Sequence, residues 1–119
     1  MRLLIVDDEH SIRFSLKKYF EKRSFDVDVA SALEEARSLL TQHLYDVIIL
    51  DIRLGPDDQL SGLELMADIR ARSAAARIVV LSGYLSPETI ERANSLKANL
   101  ILNKPQPLAQ LEQAIRQIL

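Results

Sequence analysis

The sequence predicts an α/β fold in which helices cover both faces of a parallel sheet. Three blocks, at residues 3–6, 47–50 and 78–81, consist only of aliphatic side chains. Short apolar blocks without polar alternation are typical of strands that are covered on both faces. Segments with helical periodicity follow the blocks, so strand and helix alternate five times along the chain. This order predicts a doubly wound sheet with right-handed crossovers.

Two weaker blocks supply the remaining strands. Residues 25–29 alternate apolar and acidic side chains, as expected for an edge strand with one face in water. Residues 99–102 form a short apolar block that ends before a polar residue, and they are predicted to be the fifth strand.

Helical segments fill the gaps, and capping residues predict where most of them begin. The first segment carries apolar residues at three- and four-residue steps. Ser31 and Ser61 each precede a glutamate by three residues, as in a capping box, and predict the starts of the second and third helices. Ser86 followed by Pro87 predicts the start of the fourth helix, and Pro107 that of the fifth.

Composition is consistent with one folded domain over residues 1–119. Hydrophobic residues make up 48% and charged residues 27% of the chain, the ordinary globular mix. A net charge of −2 argues against a broad basic face for nucleic acid, and the absence of cysteine excludes disulfides and thiolate metal sites. The apolar blocks are far shorter than the roughly 20 residues of a membrane span, so we expect a cytoplasmic protein without membrane contact.

Chemically reactive side chains follow the carboxyl ends of the predicted strands. Asp7 and Asp8 follow the first strand, Asp51 the third, Ser82 the fourth and Lys104 the fifth. Parallel sheets of this class place their sites beyond the carboxyl ends of the strands. We therefore expect three carboxylates, a hydroxyl and an ammonium group to meet at one edge of the sheet.

This set of groups suits phosphoryl transfer assisted by a divalent cation. Carboxylates packed together repel one another unless a cation lies among them, and hard oxygen ligands without His or Cys favour Mg²⁺, with Mn²⁺ as an alternative. Lys104 and Ser82 can contact the oxygens of a phosphoryl group. A carboxylate can also act as a nucleophile and form an aspartyl phosphate.

The residues at the strand ends also resemble those of a known family. The set comprises Asp7-Asp8, Asp51, Ser82-Gly83 and Lys104-Pro105. In this order and spacing, over residues 3–118, it resembles the CheY-like receiver domain of bacterial two-component response regulators. The resemblance implies a flavodoxin-like (βα)5 fold with strand order 2-1-3-4-5, an order that the periodicity alone leaves open.

The resemblance also implies a role for each site residue. Asp51 would be the phosphoacceptor, Ser82 would hydrogen-bond the phosphoryl group and Lys104 would pair with it. The expected Mg²⁺ ligands are Asp8 and Asp51 directly, Asp7 mainly through water, and the backbone carbonyl of Arg53. The peptide bond between Lys104 and Pro105 is a candidate for the cis form.

The implied partners are those of a phosphorelay. A sensor histidine kinase or a histidine phosphotransfer protein would donate the phosphoryl group, in a reaction that the receiver itself assists. The face formed by the fourth helix, fifth strand and fifth helix would then change, so that it forms a homodimer or controls an output domain or downstream protein. A DNA-binding output would have to lie beyond residue 119.

Three positions depart from the usual family pattern. Ile101 occupies a position that is usually aromatic, which places the usual hydroxyl-to-aromatic switch in doubt. The connection over residues 53–61 is about three residues longer than usual, and its Asp57 and Asp58 are candidates to cover the site or meet a partner. Lys97 stands where glycine is common, which predicts a different turn before the fifth strand.

Two other functions remain as alternatives. A degenerate receiver would bind partners without phosphorylation, and the unusual Ile101 keeps this possibility open. An aspartyl-phosphate hydrolase of the dehalogenase type needs a second acid two residues after the nucleophile, where this chain has Arg53. Within the receiver interpretation, Arg53 and Tyr84 flank the path of the attacking water, and we expect them to slow loss of the phosphoryl group.

Overall fold

A five-stranded parallel sheet with the order β2-β1-β3-β4-β5 organises the structure. The computed structural model describes residues 1–55 and 60–119. Its elements alternate along the chain as β1 (Arg2–Val6), α1 (His10–Glu21), β2 (Asp26–Ala30), α2 (Leu33–Gln42), β3 (Val47–Leu50), α3 (Ser61–Arg72), β4 (Arg77–Ser82), α4 (Pro87–Ser95), β5 (Leu100–Asn103) and α5 (Leu108–Ile118). The predicted doubly wound fold and the strand order implied by the resemblance are both confirmed.

Two apolar clusters, one on each face, hold the helices against the sheet. Alternate residues of a strand point to opposite faces. In β3, Ile48 and Leu50 belong to the cluster with residues of α2, α3 and α4, whereas Val47 and Ile49 belong to the cluster with residues of α1 and α5. All four residues of β3 are buried, which explains why this strand has no polar alternation.

Strand register brings the carboxyl ends of the central strands level with one another. Val6 of β1 pairs with Leu50 of β3, and Leu50 pairs with Val80 of β4. The backbone N–H of Asp51 continues this ladder by donating to the carbonyl of Val6 over 3.0 Å. Side chains that follow β1 and β3 therefore emerge next to each other.

The start of α3 lies unusually close to the end of β3. A β-carbon added to Gly62 would lie only 2.1 Å from the backbone oxygen of Asp51, so only glycine permits this approach. The N–H of Gly62 also donates to the carbonyl of Ile52 over 2.8 Å. This close contact fixes α3 beside the segment that carries Asp51.

Two of the predicted helix caps are wrong. The N-cap residues of α2 and α3 are Ala32 and Leu60, and neither helix has a side-chain cap hydrogen bond. In α2 the carboxylate of Glu35 accepts from the N–H of Ser31, and in α3 a backbone carbonyl of the preceding segment meets the first turn. A local side-chain contact at α2 and a backbone contact from the segment after β3 at α3 thus stand in place of the expected serine caps.

The other helix starts agree with prediction. Ser86 caps α4 in a reciprocal capping box with Thr89, and Pro107 immediately precedes α5. Strands β2 and β5 each begin one residue later than expected, at Asp26 and Leu100. Among the residues that the structure describes, no helix combines the length and apolar character that crossing a membrane would require.

Candidate functional site

Three carboxylates meet at the carboxyl edge of the sheet. Asp7 follows β1, Asp51 follows β3, and Asp8 lies beside them, with one ligand oxygen from each residue within 4.8 Å of the others. Asp7 and Asp51 are buried, at 3% and 7% exposure, whereas Asp8 is exposed. The predicted acidic cluster therefore forms, with its open side at Asp8.

Lys104 lies between the two buried acids. Its Nζ is 2.7 Å from Asp7 Oδ2 and 2.7 Å from Asp51 Oδ2, and a third acid, Glu9, is 3.6 Å away. Burial alone would lower the pKa of Lys104, but the hydrogen bonds and negative charges of Asp51 and Asp7 outweigh it and raise that pKa. The ammonium group is thus held in its charged form at the centre of the site.

The pKa of Asp7 is raised, mainly because the carboxyl group is buried. The negative charge of Asp51 acts in the same direction, while Lys104 and the N–H of Glu9, which donates to Asp7 Oδ1 over 2.9 Å, oppose it. The hydrogen bonds from Lys104 and Glu9 therefore only partly offset the cost of burying the Asp7 carboxylate.

Both oxygens of the Asp51 carboxylate accept hydrogen bonds. The hydroxyl of Ser82, which is fully buried, donates to Oδ1 over 2.6 Å, and the N–H of Arg53 donates to the same oxygen over 3.3 Å. Oδ2 accepts from Lys104. The three donors surround the carboxylate that the resemblance implies as the phosphoacceptor.

A cleft of about 400 Å³ opens above Asp51 and is bordered by the connections after β3 and β4. The guanidinium carbon of Arg53 lies 3.4 Å from the ring centroid of Tyr84 at this cleft. The predicted pair of residues beside the water path is thus in direct contact. Asp57 and Asp58, which were candidates to cover the site, lie outside the described residues.

The positions that depart from the family pattern have distinct settings. Ile101 is partly buried and packs against an apolar cluster of the core. Lys97 adopts a positive φ of 62°, the region that glycine favours, so its backbone angle is glycine-like and gives no support to the expected different turn. The peptide bond between Lys104 and Pro105 is cis, as the resemblance implies.

One contact at the site was not anticipated from the sequence. The N–H of Gly55 donates to Asp8 Oδ2 over 3.2 Å. This glycine has a positive φ of 98°, which residues with a side chain rarely adopt. The presence of a glycine in an unusually long connection was the one sequence feature that pointed to a special backbone conformation here. No spacing pattern links this glycine to Asp8, so the contact itself could not be predicted.

The donor set fits a hard divalent cation. Three carboxylates lie within reach of one another, and one of them is exposed to solvent, so a cation can enter and keep part of its water shell. Oxygen donors without imidazole or thiolate favour Mg²⁺ or Mn²⁺ over Zn²⁺.

Comparison with known proteins assigns the family. A model of the response regulator receiver domain matches residues 3–116, so the chain belongs to that family. The alginate biosynthesis transcriptional regulatory protein AlgB of Pseudomonas aeruginosa is 32% identical over 104 residues, which cover 87% of this chain and 22% of AlgB. The chain therefore spans about a fifth of the length of that relative.

Solved structures agree with this assignment over nearly the whole chain. A CheY-like receiver domain protein from Methanospirillum hungatei superposes with a TM-score of 0.91 at 26% identity, covering 98% of this chain and 90% of that one. The response regulator TrrA of Thermotoga maritima, solved in complex with Mg²⁺-BeF, has a TM-score of 0.84 at 30% identity, with 99% and 98% covered. The resemblance inferred from the strand-end residues is confirmed.

Proposed function

We propose that this receiver domain is a phosphoacceptor switch, in which Asp51 takes a phosphoryl group from a sensor histidine kinase or a histidine phosphotransfer protein. The observation that carries the proposal is the position of the Asp51 carboxylate. It lies beside two further acids and is held by Lys104 at 2.7 Å and Ser82 at 2.6 Å. These are the groups that in-line phosphoryl transfer to a carboxylate requires.

In the proposed transfer, a carboxylate oxygen of Asp51 attacks the phosphorus atom of a phosphohistidine. An O–P bond forms, the P–N bond breaks, and the histidine nitrogen leaves with the bonding electrons. Lys104 pairs with a phosphoryl oxygen, and Ser82 donates its hydroxyl hydrogen to another. The Lys104 ammonium contacts both Asp7 and Asp51, which supports its proposed role of pairing with the incoming negative charge.

The residues proposed to hold Mg²⁺ or Mn²⁺ are Asp7, Asp8, Asp51 and the backbone carbonyl of Arg53. A bound divalent cation would neutralise charge on the phosphoryl oxygens and reduce their repulsion from the acids. The cation would enter from the side of Asp8, because Asp7 and Asp51 are buried and Asp8 is the one acid of the three that is exposed to water.

The signal is proposed to leave through the connections after β4 and β5. The Ser82 hydroxyl accepts from the N–H of Tyr84 over 3.1 Å, and the backbone carbonyl of Ser82 accepts from the N–H of Lys104 over 3.0 Å. A phosphoryl group on Asp51 competes for Ser82 and Lys104, and so changes both connections. The face of α4, β5 and α5 would then dimerise or bind an output domain or downstream protein.

Acetyl phosphate and Mg²⁺ provide the direct test. The wild-type chain is expected to gain the mass of one phosphoryl group, and the gain should require Mg²⁺ and disappear in Asp51→Ala. Asp26→Ala is the matched control, because Asp26 is an exposed aspartate at the start of the edge strand β2. Retention of the modification in Asp51→Ala would refute the assignment of the phosphoacceptor.

Ile101 supports a second candidate, a receiver that binds partners without phosphorylation. Its aliphatic side chain packs partly buried against the core, so the usual aromatic signal is absent at this position. Beryllofluoride with Mg²⁺ separates the two functions by NMR. A switch predicts shifted resonances for Ser82, Tyr84 and Ile101, whereas a phosphorylation-independent module predicts that they do not move.

A further inference from the structure

The segment after β3 contacts two different acids of the site through its backbone. The N–H of Arg53 donates to Asp51 Oδ1 over 3.3 Å, and two residues later the N–H of Gly55 donates to Asp8 Oδ2 over 3.2 Å. The second bond joins residues that are 47 positions apart in the chain. The segment thus connects the phosphoacceptor strand to the exposed acid that follows β1.

Gly55 has a backbone conformation that favours glycine. Its φ of 98° lies in the region that residues with a side chain rarely adopt. A β-carbon added there would meet no atom within 4 Å. The site therefore has room for a methyl group, and the requirement for glycine comes from the backbone angle alone.

Asp8 is the acid of the cluster that most needs positioning. Its side chain is exposed, and within residues 1–55 and 60–119 no ion pair and no hydrogen bond other than that from Gly55 reaches its carboxylate. Asp7 and Asp51, by contrast, are buried and are both held by Lys104. A mobile carboxylate loses conformational freedom when it binds a cation, and a preformed hydrogen bond reduces that cost.

We propose that Gly55 is a positioning residue for the divalent cation. Its amide, which lies in a segment whose backbone conformation requires glycine, holds the Asp8 carboxylate toward Asp51 before the cation binds. The inference rests on the proposed function, because it assumes that the acidic cluster is the cation site. It adds a residue from the unusually long connection to the machinery of that site.

Titration of the purified chain with Mg²⁺ alone, followed by NMR, tests the proposal. Gly55→Ala is expected to weaken Mg²⁺ binding about 10-fold, as is typical when a partner of a metal ligand is lost. Gly55→Asn should recover part of the affinity, because asparagine tolerates positive φ better than alanine. Ser24→Ala is the control for a side chain at positive φ, since Ser24 has a φ of 69° in the connection between α1 and β2, outside the acidic cluster, and it should change the affinity less than about twofold.

A second measurement does not depend on how the glycine variants fold. In Asp8→Ala, the amide hydrogen of Gly55 is expected to exchange with solvent faster and to shift its resonance, while the Gly83 amide serves as the reference. Wild-type affinity in Gly55→Ala, or an unchanged Gly55 amide in Asp8→Ala, would overturn the positioning role and leave the proposed function intact. A wild-type chain that binds no Mg²⁺ would instead overturn the proposed function itself.

Discussion

Charged groups at the two edges of the sheet have different kinds of partners. At the amino edge, the guanidinium of Arg70 donates to the carbonyls of Ala76 over 2.6 Å and Lys97 over 2.7 Å, and to the side chain of Asn99 over 3.0 Å. At the carboxyl edge, Asp7 and Asp51 share one ammonium group, and burial, with a smaller contribution from the charge of Asp51, raises the pKa of Asp7. Neutral carbonyl and amide dipoles thus satisfy the charge of Arg70, whereas the carboxyl edge concentrates like charges.

This difference suggests a division of roles, in which the amino edge stabilises the fold and the carboxyl edge carries the proposed chemistry. Arg70 ties the end of α3 to the segments that lead into β4 and β5, so its contacts hold the fold together. The carboxyl edge is proposed to bind a cation, because its clustered acids share a single ammonium group. Substitutions at one edge should therefore change the free energy of unfolding, and substitutions at the other should change phosphoryl chemistry.

The largest effect is expected for Asp8→Asn. Removal of a charged ligand should lower the rate of Mg²⁺-dependent phosphorylation by acetyl phosphate about 100-fold. The melting temperature should stay the same or rise, because one charge of a repelling cluster is lost. Asp26→Asn is the control for loss of an exposed acid. A variant that loses stability as well as activity would contradict the separation of the two edges.

Arg70→Ala should have the converse effect. Its loss leaves several carbonyl groups without a donor, so we expect a loss of about 3 kcal/mol in the free energy of unfolding. Phosphorylation at temperatures where the variant is folded should be near the wild-type rate. Chemical denaturation and the acetyl phosphate assay together measure both quantities.

Arg72→Ala is the matched control for this variant. Arg72 is exposed, and its one hydrogen bond among the described residues runs to the carbonyl of Leu40 over 3.4 Å. We expect a change below about 0.5 kcal/mol. Equal losses in the two arginine variants would show that the bonds of Arg70 do not stabilise the amino edge specifically.

Most site residues at the carboxyl edge can be predicted from the sequence, because each of them is marked by its immediate neighbours in the chain. An apolar block followed by an acid or hydroxyl marks each strand end, and parallel strands bring these ends together. The strand order needed the resemblance, since periodicity does not record which strands are neighbours. The caps at Ser31 and Ser61 failed because backbone and side-chain groups from other positions meet those first turns instead.

Contacts made by the backbone were the least predictable. The bond from Gly55 to Asp8 depends on a backbone angle and on two segments far apart in the chain. The role of Arg70 was missed for a similar reason, because its partners are carbonyl groups that every residue carries. Side-chain patterns alone therefore predict the chemistry of the site better than the contacts that hold it in place.

The stack between Arg53 and Tyr84 should control how long the phosphoryl group persists. Removal of the ring in Tyr84→Ala opens the cleft above Asp51 to water, and we expect hydrolysis about 5- to 10-fold faster. Tyr84→Phe retains an aromatic face for the guanidinium and should stay within about twofold of wild type. Decay that is no faster in Tyr84→Ala would eliminate this role. Loss of radiolabelled phosphate after removal of the donor measures the rate.

The smallest effect concerns Lys97, which belongs to the amino edge and has a φ of 62°. A residue with a side chain is strained in this region, so Lys97→Gly should stabilise the fold by about 0.5–1 kcal/mol despite the greater freedom of glycine in the unfolded chain. The control is Lys22→Gly at the end of α1, where φ is −69° and the same change should destabilise by a similar amount. If denaturant unfolding gives changes in the free energy of unfolding of opposite sign for the two variants, backbone strain also exists at the amino edge. A loss in both would mean that the Lys97 side chain or its turn contributes more than the angle costs.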